Sequence, residues 1–74
     1  MGNIISKFFN EKYSLDESNN NLYEINIPNN IFYLTCYRNH INNINIKQNI
    51  EILECDLFVR LNNINNTNLH IYLW

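Results

Sequence analysis

Cys36, His40, Cys55 and His70 carry the soft ligand atoms and the strongest nucleophiles of this 74-residue sequence. Structural zinc sites gather such residues in close pairs, because two ligands from one turn fix half of a tetrahedron. Cys36 and His40 have a workable spacing, but Cys55 and His70 lie far apart and form no second pair. No metal site is expected. A nucleophilic cysteine needs an imidazole beside it to take its proton, and no local pattern places one there. Glu51, Glu54 and Asp56 have a spacing that would suit an acid–base pair, yet a solvated strand face gives the same spacing. The single glycine of the chain excludes glycine-rich loops that cradle phosphates. These residues predict neither an enzyme nor a bound cofactor.

The chemistry that the sequence does announce lies in its first seven residues, Met1-Gly2-Asn3-Ile4-Ile5-Ser6-Lys7. Met-Gly-x-x-x-Ser is the acceptor pattern for N-myristoylation, in which Gly2 becomes the N-terminal residue once Met1 is removed. Acyl transfer favours an α-amine with no Cβ beside it, and Ser6 and Lys7 complete the recognition pattern. The one glycine of the chain stands where this chemistry requires it. A single myristoyl chain holds a membrane only marginally, so stable attachment takes a second contact. Ile4, Ile5, Phe8 and Phe9 form an apolar stripe at helical spacing, with Lys7 and Lys12 available to anionic headgroups. The opening Met-Gly-Asn-Ile-Ile-Ser resembles the start of small myristoylated viral accessory proteins of geminiviruses and arenaviruses. That resemblance covers six residues and implies a class, a small viral protein directed to membranes.

Composition bounds the remainder. A hydrophobic fraction of 46% and an aromatic fraction of 14% are too high for a disordered chain, while 74 residues allow one small domain with a marginal core. Net charge is -2, and the five basic residues are scattered, so no nucleic-acid footprint is present. No stretch approaches the roughly 20 apolar residues of a spanning helix. The expected location is the cytosolic face of a host membrane, or a virion, where Cys36 and Cys55 remain free thiols. The abundance of Asn and Ile and the scarcity of Gly, Pro and Ala are what AT-rich coding produces, which suggests a virus or a protist.

The pattern predicts two parts. Residues 1–21 form a lipidated N-terminal segment, a short amphipathic helix or a flexible tail, followed by a polar linker from Ser14 to Asn21. Residues 22–74 form a small antiparallel β-meander of about five strands. Asparagine punctuates this second part and substitutes for glycine in its turns, since Asn tolerates the left-handed region and bonds to its own backbone. Pro28-Asn29-Asn30 separates a strand at Leu22–Ile27 from one at Ile31–Tyr37. Arg38-Asn39-His40 leads to a weak edge strand at Ile41–Lys47, and Gln48-Asn49 turns again. Leu53, Cys55, Leu57, Val59 and Leu61 alternate with Glu54, Asp56 and Arg60 in one long strand, with a bulge near Ile52-Leu53. A last strand alternates Leu69, Ile71 and Leu73 with His70, Tyr72 and Trp74. No internal repeat stands out.

So small a sheet buries one face, and the aromatic residues on the other are suited to a protein partner. His70, Tyr72 and Trp74 share one face of the last strand and are the predicted contacts. Two roles follow: a myristoylated membrane-bound interaction protein, viral accessory or matrix-like, or a structural subunit of a virion or capsid completed by neighbouring chains. In either role an edge strand could pair with a second copy.

Overall fold

The computed structural model describes residues 12–47, 49–65 and 68–74. Six short strands carry the fold: β1 (Tyr13–Asp16), β2 (Ile31–Thr35), β3 (Asn43–Asn45), β4 (Ile52–Cys55), β5 (Arg60–Asn62) and β6 (His70–Leu73). The chain is mainly β, as expected, and there is no helix among the described residues.

The strand directions are not as expected. Every pairing is parallel: β1, β2, β4 and β6 lie in that order in one sheet, and β3 pairs with β5 in another. The antiparallel meander is therefore replaced by a coil. Short Asn-rich turns resemble hairpins when read locally, but here they are corners. After each strand of the larger sheet the chain turns onto the opposite layer, crosses it, and returns one level higher to lay the next strand in the same direction. The connection between β2 and β4, which contains β3, is long enough for the crossover that parallel pairing requires. The result is a small, solenoid-like stack.

A repeat accompanies this winding. Leu15, Leu34 and Leu53 are register partners 19 residues apart, and Ile71 follows Leu53 after 18. Ile27 and Ile46, Ile31 and Ile50, and Cys36 and Cys55 share the 19-residue spacing, and all six are buried. Like side chains thus stack at the ~4.8 Å strand separation and form continuous interior ladders. The core consists of these ladders with Ile41 and Ile44, and it contains no buried polar side chain among the described residues.

Several local expectations change. Tyr13–Asp16, expected within the N-terminal segment and its polar linker, is strand β1. Leu22–Ile27 forms no ladder, although Ile27 belongs to the core and Ile25 packs against it, one 19-residue repeat before Ile46 and Ile44. The long strand expected through Leu61 is broken by a turn at Asp56–Phe58, closed by the Val59 amide donating to the Asp56 carbonyl at 3.2 Å. Leu53 and Cys55 are buried as the alternation required, while Leu57 is exposed on the corner. The bulge expected near Ile52-Leu53 is not present: β4 pairs in unbroken register from Ile52, and Ile50, fully buried like Leu53, lies before the strand begins. The expected N-terminal helix falls almost wholly on residues 1–11, outside the described residues.

The corners explain how a chain without glycine in its turns can coil. Asn19, Asn21, Arg38 and Asn63 occupy the left-handed region, with φ between 55° and 62°. Asn is the least costly residue there after Gly. Asn39 ties one level to the next. Its Nδ2 donates to the carbonyls of Glu17 (2.9 Å), Cys36 (3.0 Å) and Tyr37 (3.3 Å), and its Oδ1 accepts from the amides of Asn20 (3.0 Å) and Leu22 (2.9 Å). Asp56 does the same one level higher, accepting from the amides of Arg38 (2.7 Å) and Asn39 (3.2 Å). Backbone polar groups that a corner would leave unpaired are thereby satisfied.

Candidate functional site

The outward side chains of the larger sheet come into rows because its strands are parallel and nearly in register. Tyr33 lies beside Ile52 and His70, and Thr35 lies beside Glu54 and Tyr72. One position further along, Tyr37 and Trp74 reach toward each other across the intervening level and stack with ring centroids 4.2 Å apart and planes inclined at 23°. Asp56, the residue between them, is turned into the corner to bond Arg38 and Asn39, which leaves room for that contact.

Tyr33, Ile52, Glu54, Tyr72, Leu73 and Trp74 line an open groove of about 480 Å³. Glu54 is its centre. The carboxylate accepts from the Tyr33 hydroxyl and, at 3.2 Å, from the Trp74 indole Nε1. Its bond with the Tyr33 hydroxyl raises the tyrosine above its ordinary value, with burial and the charge of Glu54 adding in the same direction. A carboxylate has about four lone-pair sites, so two remain open on Glu54. Among the described residues, no Lys or Arg lines the groove.

Tyr72 and Trp74, two of the three predicted contacts, are therefore brought together with Tyr33 and Glu54. His70 stands on the same face one row away, beside Ile52. The sequence reading missed Tyr33 and Glu54 because their partners lie about 20 and 40 residues along the chain. The 19-residue spacing of inward Leu and Cys was the feature that aligned them.

The residues weighed for metal or nucleophilic chemistry do not converge. Cys36 and Cys55 are neighbouring rungs of the interior ladder, whereas His40 stacks on Tyr23 at the surface, with centroids 4.9 Å apart. Among the described residues no three metal-ligating side chains come together. Burial pushes the Cys36 thiol up to about 12, with Cys55 and Asp56 contributing, and the Cys55 thiol up to about 11, with Asp56 contributing. The raised values favour the protonated thiol at neutral pH, the weaker nucleophile.

Of the lipidation and membrane-contact residues, Gly2, Ile4, Ile5, Ser6, Lys7, Phe8 and Phe9 lie outside the described residues. Lys12 is described, and its ammonium forms an ion pair with Glu51 at 2.8 Å and sits 6.0 Å from the centre of the Phe32 ring. It is thus engaged with the larger sheet. An exposed pair of this kind contributes at most about 1 kcal/mol, weak enough to exchange for a headgroup. Comparison of the chain with protein-family models, curated proteins and solved structures finds no match, so the site is interpreted from its own geometry.

Proposed function

We propose that this chain is a small membrane-bound interaction module, acylated at Gly2, that offers the outer face of its larger sheet to a protein partner. The observation that carries the reading is the groove in which Tyr33, Tyr72 and Trp74 surround Glu54. Aromatic side chains that are both exposed and held in place lose little entropy on binding, and Tyr and Trp dominate the binding energy of protein interfaces. The Met1-Gly2-x-x-x-Ser6 pattern supports the membrane half, with Ile4, Ile5, Phe8 and Phe9 as the second contact that a single acyl chain needs. The protonated, buried thiols support binding rather than covalent chemistry. The setting that best fits the composition is an accessory or matrix-like protein of an AT-rich virus, working on the cytosolic face of a host membrane or in the virion.

Two variants test the halves separately in eukaryotic cells. Wild-type protein should lose Met1, gain a myristoyl group by intact mass and sediment with membranes, whereas Gly2→Ala should do neither. A Tyr72→Ala/Trp74→Ala double variant should stay on membranes and lose the crosslinked species that wild type forms. If Gly2→Ala still sediments with membranes, or if the double variant keeps every crosslink, the corresponding half is wrong.

A second reading, a subunit of a larger assembly, is favoured by large apolar side chains left open to solvent. Phe58 is 91% exposed and Leu57, Ile64 and Leu73 are also open to solvent. Concentration-dependent sedimentation of the purified chain distinguishes it from the first.

A further inference from the structure

Among the described residues, β6 is an outer strand of the larger sheet, and its outward edge has a chemical character. In the parallel ladder with β4, the amides of His70 and Trp74 donate to the carbonyls of Glu51 (2.8 Å) and Cys55 (2.9 Å). Alternate residues of a strand point their N–H and C=O groups the same way, so those of Ile71 and Leu73 point outward from the sheet edge. No described strand lies beyond them. The side chains tell the same story. Ile71 and Leu73 continue the interior ladders of Leu34–Leu53 and Cys36–Cys55, yet they remain 38% and 53% exposed, where the rungs below are buried. One more rung would complete the edge.

We infer that this edge accepts an extended basic segment of a partner polypeptide, which pairs with β6 and places a lysine or arginine over Glu54. The inference rests on the interaction reading above and names the partner's chemistry. Inward positions of the added strand must be apolar to cover Ile71 and Leu73. Outward positions meet Tyr72 and Trp74, and beyond them Glu54, a carboxylate with two open acceptor sites and, among the described residues, no cation in its groove. Two strand spacings, about 10 Å, separate the new strand from Glu54. The long stem of Lys or Arg, lying across the aromatic faces, spans that gap and gains a cation–π contact on the way. A second copy of this chain is the poorer occupant. Its own edge strands read Tyr-Ser-Leu-Asp at β1 and His-Ile-Tyr-Leu at β6, without Lys or Arg, and Lys12, which directly precedes β1, is already paired with Glu51 of its own sheet.

Trp74 is the only tryptophan of the chain, so its fluorescence reports on this groove directly. The test titrates the full-length protein with a short peptide alternating Lys and Val. Controls are a Glu–Val peptide of equal length and a Lys–Val peptide N-methylated at alternate amides. The Lys–Val peptide should shift Trp74 emission saturably, and both controls should fail. Glu54→Gln, which keeps the side-chain shape, should weaken binding about tenfold while its thermal midpoint stays near that of wild type. Equal binding of Glu–Val, or unchanged affinity in Glu54→Gln, would overturn the basic partner and leave the aromatic interaction face standing. Full binding by the N-methylated peptide would overturn strand addition. Failure of Lys–Val to bind also overturns the inference, in favour of a second copy if sedimentation shows self-association that Trp74→Ala abolishes. None of these outcomes touches the membrane fractionation or cellular crosslinking that test the broader reading.

Discussion

The two sheets of this protein are built alike on the inside and differently on the outside. Each is a short parallel ladder that turns isoleucine, leucine or cysteine toward a common core. The outward residues of the smaller sheet are Asn43, Asn45, Arg60 and Asn62, on strands that carry no aromatic residue. The larger sheet presents Tyr33, Glu54 and Tyr72, with Trp74 just beyond β6. The same scaffold thus supports a polar face and an aromatic one. The comparison teaches that stacking is specified by the inward positions together with corner residues such as Asn39 and Asp56, which leaves the outward strand positions free to carry function.

The most damaging way to break the comparison is from inside, where both faces should fail together. Leu53 is fully buried in the ladder with Leu34 and Ile71. Leu53→Ala should cost about 3 kcal/mol through lost transfer energy and a residual cavity. In so small a domain that is a large part of the total. Urea denaturation followed by far-ultraviolet circular dichroism should show the midpoint fall sharply. Asn39→Ala attacks the corner that both sheets share, removing five hydrogen bonds and leaving main-chain groups of two levels unpaired. Its expected cost is about 2 kcal/mol, because part of that backbone can turn to water. The same denaturation experiment, compared with Asn45→Ala on the polar face, should show a much smaller effect for the latter.

A gentler probe leaves the sequence intact. Cys36 and Cys55 belong to the ladder, and their thiols are raised to about 12 and about 11 by burial first. Maleimide or disulfide reagents at pH 7.5 should label them only as fast as the stack opens, and labelling should accelerate greatly in Leu53→Ala. Rapid stoichiometric labelling of the wild-type protein would show that the core is not closed around them.

These contrasts also mark what could be read along the chain. β character was legible, as were the alternation at Leu53–Cys55, the strands near 31–35 and 70–73, and the aromatic face of the last strand. All depend on neighbours one or two residues apart. Strand direction was not legible, because Pro28-Asn29-Asn30 and Arg38-Asn39-His40 have the same residue preferences at a solenoid corner as in a hairpin. The repeat was hidden for a related reason. It resides in burial at Leu15, Leu34 and Leu53, while the outward residues of successive levels share no resemblance. Glu54 could be seen as a polar strand residue, but its place between Tyr33 and Trp74 follows only from winding the chain.

The finest test of the contrast uses Tyr33, whose hydroxyl donates to Glu54 on the aromatic face. That bond exists only while the phenol keeps its proton, and ionisation would set a phenolate against a carboxylate. The folded-state pKa is therefore raised above the ordinary tyrosine value of 10.0. A raised folded pKa means that the folded protein binds this proton more tightly than the unfolded chain. The stabilisation is complete below the unfolded pKa near 10 and disappears as pH rises through the folded one. Absorbance titration at alkaline pH should show one tyrosine ionising later than the others, assigned by its loss in Tyr33→Phe. In Glu54→Gln the acceptor charge is gone, and Tyr33 should ionise closer to the rest. If Tyr33 ionises with the other tyrosines in wild type, the Glu54 bond does not persist in solution, and the aromatic face is looser than its geometry implies.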